Sequence, residues 1–496
     1  MASDKNWIPM KWPCGPLVIA QRSKSQSLDA EVKETLAAWA LPASLDMLKG
    51  TAINCLIVDW AEGDPQDSAQ QQALKPLLEA GRQMGIAFVG KIGAKGNVGA
   101  LVEAARAAGL SAVMLSNAPG ESFDFPIIRQ FSREKVAWDA TTPIFSSTDN
   151  VWPGLALETM KGDTANAGPT GVPWVNSNAW FSMLAREMAP AKSAWLDFDP
   201  PESSTVQHPA DYPLAIADSR AYGSRWVISL DDKLRAAMTR KDAPALEIWS
   251  RICRTISFFD GHKNWEMFEP QGILAVVSDF QEDNAFEGNE VLNLLNRRAV
   301  QFKIVLKSRW ASASTKGLRA ILWLDKQSPN NEQRSKLLGF VQQGGLVIAQ
   351  ASWGPAGVQP FKKDPAFQYN MYNVGQGQIA VPEEPFADPY QVAVDTHLLV
   401  SRRNDLVRLY NPAETNCHSS VEPDRKRRLV QVLNYSAQPA EYVTLWVSER
   451  YSSAQLFGLE TTNPVVLKGV AGKPGTEFDL PTFSVYCALE LEGNNL

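Results

Sequence analysis

Carboxylates recur where a chain could do acid–base work. Asp59, Asp149, Asp197 and Asp231 each stand at or just past the end of a short β-rich run, with Glu62 and Asp199 close behind two of them. Two carboxyls facing across one cleft can act as proton donor and as nucleophile or base. Cleavage of a glycosidic bond needs such a pair, ~5.5 Å apart for retention and ~6.5–9.5 Å for inversion. Asp59, Glu62, Asp149, Asp197 and Asp199 are the catalytic candidates. Asp197 and Asp199 share one side of their strand by alternation and run into Pro200-Pro201, where no helix can begin at once. Asp231, just before Lys233-Leu-Arg, reads first as a helix cap, and Asp149 reads equally as a turn former. The same run ends offer Gln21, Lys91, Asn117 and Arg129 as polar partners.

Tryptophan points the same way. Twelve of the sixteen tryptophans lie in residues 1–265, and Trp60, Trp152 and Trp174 flank run ends. Indole faces stack on the C–H faces of sugars while amides and carboxylates take hydroxyls, so Asn176 and Asn178, in one long connection with Trp174, complete the expected sugar-binding set.

Positioning such residues calls for parallel strands with helices between them. Eight β-rich runs begin at Pro16, Ile53, Ile86, Ser111, Pro126, Pro143, Ser193 and Arg225, and helical stretches separate most of them. Eight closes a (β/α)₈ barrel, whose reactive groups sit at the C-terminal strand ends. A doubly wound open sheet is the structural alternative, but no GxGxxG follows the first run. The barrel is expected over 1–265. A flavodoxin-like three-layer α/β segment with neither GxSxG nor a cysteine at its third strand follows over 266–391. An antiparallel β-sandwich is expected over 392–496.

Composition closes several other routes. A net charge of −6 speaks against nucleic acid as a partner, and the basic run Arg425–Arg428 reads as a solvated loop. Five scattered cysteines and four histidines lack metal-ligand spacing, so neither metal nor cofactor is expected. No apolar run reaches the ~18 residues a membrane span needs. The N-terminus lacks the apolar stretch of a secretion signal, which leaves a cytoplasmic protein or an exported one given without its leader.

The order of parts, with Ala320-Ile-Leu-Trp-Leu324, Leu337-Leu-Gly-Phe-Val-Gln-Gln-Gly-Gly-Leu-Val-Ile348 and Leu429-Val-Gln-Val-Leu-Asn-Tyr-Ser436, resembles the β-galactosidase-like glycoside hydrolases that carry a trimerisation domain after the barrel. The resemblance implies hydrolysis of a sugar bond in an oligosaccharide or polysaccharide, and self-association through the middle segment. That family places glutamates at the ends of the fourth and seventh strands. Here those ends read Leu115-Ser-Asn117, with Glu121 further on, and Asp197-Phe-Asp199. No catalytic residue transfers by motif. The alternative to an aspartate-based hydrolase is a barrel of the same architecture that only binds glycans or serves as a scaffold.

Overall fold

The computed structural model describes the chain except residues 1–5, 26–27, 94–96, 117–122, 139–141, 157–173, 202–208, 352, 354–359, 365–367, 387, 413, 425, 473 and 494–496. Contacts gather it into two units. One comprises Met1–Gly154, Asn176–Asn178 and Ala189–Lys263; the other comprises Leu155–Val175, Ala179–Met188 and Asn264–Leu496.

The first unit is an eight-stranded parallel sheet in which neighbours in sequence are neighbours in space. Its strands are Pro9–Lys11, Cys55–Ala61, Ala87–Ile92, Ala112–Ser116, Ile127–Ser132, Ile144–Thr148, Ser193–Leu196 and Arg225–Trp226. A parallel bridge from Met10 to Ile228 brings the first strand beside the last. There Lys11 N donates to Ile228 O at 2.8 Å and Ile228 N to Pro9 O at 2.9 Å. The sheet thus closes as a (β/α)₈-type barrel. Helices Asp67–Gln83, Val98–Ala107 and Asp211–Ala221 fall between the strands, and a 3₁₀ turn, Arg133–Lys135, follows the fifth strand.

The first strand differs from expectation. The run from Pro16 is a helix, Pro16–Ser25, and Gln21 lies within it. A short apolar run has no decisive period. Gly15 in the left-handed region and Pro16 at the first helical position settle this one as a helix start. The true first strand, Pro9–Lys11, is short and begins at a proline, so nothing in its pattern announces it.

In the second unit, five parallel strands run in spatial order Phe302–Leu306, Leu274–Ser278, Ala320–Trp323, Leu346–Ile348, Gly377–Pro382. This is the doubly wound order 2-1-3-4-5. Two antiparallel strands, Tyr369–Val374 and Lys362–Asp364, extend its edge.

Two antiparallel sheets follow, with Val430, Val432, Leu445, Val447, Phe478, Leu489 and Leu491 among the buried residues of one core. Two elements lie close to the expected boundaries. Residues Pro389–Val400 form a helix, and Glu269–Pro270 supplies an edge strand from far upstream. The basic run is also no solvated loop at its end. Arg428 is fully buried in a strand, donating to Glu449 Oε1 at 2.7 Å, so its charge is neutralised by pairing. Among the described residues, no helix is long and apolar enough to cross a membrane.

Candidate active site

The barrel interior is built in layers. Ile57, Val89, Met114, Ile128, Ile144, Trp195 and Val227 belong to one buried apolar cluster within it. Two residues further along each strand, on the same inward face, stand Asp59, Lys91, Ser116, Gln130, Ser146, Asp197 and Ser229. Lys11, at the end of the first strand, joins this layer through its ion pairs. Every strand therefore changes from apolar to polar at the same level, at the C-terminal end of the barrel.

The polar layer is cross-linked. Lys11 Nζ lies 2.5 Å from Asp197 Oδ1 and 2.9 Å from Asp199 Oδ1. Gln130 Nε2 donates to Asp197 Oδ2 at 2.8 Å, while Gln130 Oε1 accepts from Ser116 Oγ at 2.8 Å. Ser229 Oγ donates to Asp199 Oδ1 at 2.6 Å. Asn150 Nδ2 holds the Asp197 backbone carbonyl at 3.2 Å, and Gln70 Nε2 holds that of Asp59 at 2.8 Å. Asp197 is 5% exposed at the side chain, whereas Asp199 is 69% exposed, so one carboxylate lies inside the mouth and the other on its rim. Ser146 is fully buried, and its hydroxyl has no partner among the described residues.

Charge divides the carboxyls into two kinds. Burial raises the Asp59 pKa, and the nearby ammonium groups of Lys91 and Lys11 offset only part of that rise. Burial likewise raises Glu62, which feels Lys91, Asp59 and a hydrogen bond from Gln21. Its carboxyl occupies the space above Gly93, where a β-carbon would stand 2.0 Å from Oε2. Asp199 moves the other way. Partial desolvation at the rim pushes it up, but Lys11, Ser229 and Lys91 together outweigh this and hold it below the ordinary carboxylate range. Burial alone would lower Lys11; Asp197 and Asp199 overcome that and raise it to about 12, so it is a fixed cation. Carboxyls whose environments push them apart in this way divide acid and base roles.

The structure thus brings together Asp59, Glu62, Asp197, Asp199 and Lys91 of the expected residues. Gln21 reaches the same group through Glu62, whereas the other described candidates stand elsewhere. Asp149 is an exposed residue in the left-handed region (φ 59), turning the chain after the sixth strand. Asp231 caps the helix Asp232–Thr239, accepting from Leu234 N at 2.9 Å and from Tyr212 Oη at 2.6 Å. Asn178 is buried, its amide exchanging hydrogen bonds with both backbone groups of Val151 and reaching Asp218. Asn176 is half-buried in the short strand Trp174–Asn176, with no hydrogen bond to the polar layer among the described residues.

Trp60 packs on the outer wall, its β-carbon lying 3.0 Å from where one on Gly90 would be. Arg129 alternates with inward Ile128 and Gln130 and so also faces out. Trp152 is half-buried, edge-on to Tyr212 and Trp226 at centroid distances of 5.5 and 5.6 Å. Asn117, Glu121 and the side chain of Trp174 lie outside the described residues. Sequence reasoning missed Lys11, Ser116, Gln130, Ser146 and Ser229. Counting two residues on from the inward apolar positions finds all of these except Lys11. Among the described residues, no group of three or more His, Cys, Asp or Glu side chains is placed to hold a metal ion.

No protein-family model matches the chain. No curated protein matches its sequence. Among solved structures it is similar to α-L-fucosidase isoenzyme 2 from Paenibacillus thiaminolyticus, with TM-score 0.59 and 10% identity over 99% of this chain and 100% of that one. It is also similar to the exo-β-1,4-mannosidase Op5Man5 from Opitutaceae bacterium strain TAV5, with TM-score 0.45 and 12% identity over 80% and 94% of the two chains. At such identities the first likeness shows a shared fold, and that fold spans both chains end to end.

Proposed function

We propose that the barrel is a glycoside hydrolase. In this reading Asp59 is the proton donor and Asp199 the nucleophile or base, with Asp197 and Glu62 flanking them. The observation that carries it is the coexistence, at the strand ends, of a carboxyl whose pKa burial raises and one whose pKa Lys11 and Ser229 hold down. A buried hydroxyl without a partner among the described residues, Ser146 Oγ, supports a polar ligand entering the same layer. The substrate class is a terminal sugar of an oligosaccharide or polysaccharide. The α-L-fucosidase fold likeness makes an aryl α-L-fucoside the first compound to try, beside aryl β-D-galactosides and β-D-mannosides.

Hydrolysis of one member of that panel is expected, with Asp59→Asn and Asp199→Asn each lowering kcat by about 10²-fold or more. Undiminished turnover in both variants would remove them from the mechanism. One observation favours the alternative of glycan binding without hydrolysis: Lys11 pairs with both Asp197 and Asp199 and so occupies the carboxylates that a nucleophile would need free. Sugar-induced thermal stabilisation without turnover of any aryl glycoside would decide for it. The reading includes self-association through residues 266–391, to be checked by light scattering. It keeps 1–265, 266–391 and 392–496 as separate parts, which limited proteolysis can test.

A further inference from the structure

The second unit carries a surface with no part in the barrel chemistry. In its four-stranded sheet Tyr410 pairs with Thr444, and Thr444 with Asp479. Their neighbours Leu445 and Phe478 belong to the core, so alternation turns Thr444 and Asp479 outward, and Tyr410 with them. One row further in, Arg408 lies 4.9 Å from the ring centroid of Trp446 and covers it. The Tyr410 row stays exposed, with the Tyr410 hydroxyl hydrogen-bonded to Arg408. Glu441, Tyr442, Thr444, Asp479 and Thr482 line a hollow of about 880 Å³, counting the solvent at its mouth.

Tyr442 is the unusual residue here. It is 83% exposed and adopts the left-handed conformation, with φ 57. Glycine or asparagine would hold that turn without strain, whereas a bulky side chain costs about 1–2 kcal/mol there. The ring recovers nothing by burial. Asn411 Nδ2 donates to Tyr442 O at 3.3 Å, so the strained turn is tied to the strand end beside Tyr410, itself 40% exposed. An exposed aromatic kept at a strained position points to function.

We propose that this outer face is a glycan-binding platform. The phenol rings of Tyr442 and Tyr410 stack on pyranose C–H faces, and carboxylates accept hydrogen bonds from ring hydroxyls. Asp479 suits that role: Oδ1 takes the Thr444 hydroxyl at 2.7 Å, and its other oxygen has no partner among the described residues. Glu441 and Asp479 would repel sulfate and uronate groups, so the ligand is a neutral polysaccharide. The platform goes beyond the hydrolase reading and stands without it.

Affinity electrophoresis of the full chain through gels containing xyloglucan, galactomannan, laminarin or κ-carrageenan tests this. Retardation is expected in at least one neutral gel and not in carrageenan. Tyr442→Gly should weaken retention about tenfold, the worth of one stacked ring, while leaving the thermal midpoint equal or higher, because glycine relieves the turn. Tyr410→Ala should weaken retention too, and aryl-glycoside turnover should be unchanged in both. No retardation in any neutral gel, or full retention in Tyr442→Gly, would overturn the platform. If Asp59→Asn and Asp199→Asn abolish retention while Tyr442→Gly keeps it, binding belongs to the barrel and the platform is again refuted.

Discussion

A carboxyl enclosed by protein destabilises the fold whenever it ionises, and Asp59 is such a group. Its folded pKa is raised above the unfolded value, so its contribution to stability is fully present below about pH 3.9 and is lost as pH rises through the folded value. Asparagine mimics the protonated carboxyl. Asp59→Asn should therefore raise the thermal midpoint at pH 7 and lose that advantage in acid, even as activity falls. A midpoint unchanged at pH 7 would mean that Asp59 is already relaxed. Lys91 acts on the same carboxyl by favouring its charge. Lys91→Met should raise the Asp59 pKa further, moving the alkaline limb of the kcat/KM profile to higher pH. Its acid limb, set by Asp199, should move up as well, because Lys91 also helps hold that carboxylate ionised. A profile that stays in place would show that other groups set it.

Single turns decide where these carboxyls end up. Gly15 has φ +89, and a β-carbon there would come 2.3 Å from Gln70 Oε1. Gln70 in turn grips Cys14 O at 2.9 Å, Asp59 O at 2.8 Å and Leu17 N at 3.1 Å, fastening the first helix to the end of the second strand. Gly15→Ala should cost about 2 kcal/mol or more in urea denaturation and lower activity through the shifted Asp59. Asp231→Ala removes a helix cap and should cost about 1–2 kcal/mol with KM unchanged. A KM effect from Asp231→Ala would instead return that residue to the binding site. Strand positions after the first were legible within a few residues because β-branched runs alternate with helical ones. The inward face was not: Trp60 and Arg129 each lie one residue from an inward position, and a one-residue phase error exchanges wall for interior.

At the scale of the molecule, the barrel closes through three residues. Pro9–Lys11 supplies both the last hydrogen bonds of the ring and the cation that pairs Asp197 with Asp199. Deletion through Lys11 should therefore abolish activity and expose apolar interior, read as dye binding and loss of near-ultraviolet dichroism. Retention of a native spectrum would show that the other seven strands close without it. By itself the sequence determined the alternation of strands and helices and the gathering of aspartates at strand ends, since these depend on local period and turn chemistry. Only the tertiary structure decided which aspartates meet. Asp149 and Asp231 end β-rich runs as Asp59 and Asp197 do, and local context only weighted the choice among them. What separates caps and turns from a shared mouth is the curvature and closure of the sheet, which depend on contacts between residues as distant as Lys11 and Asp197.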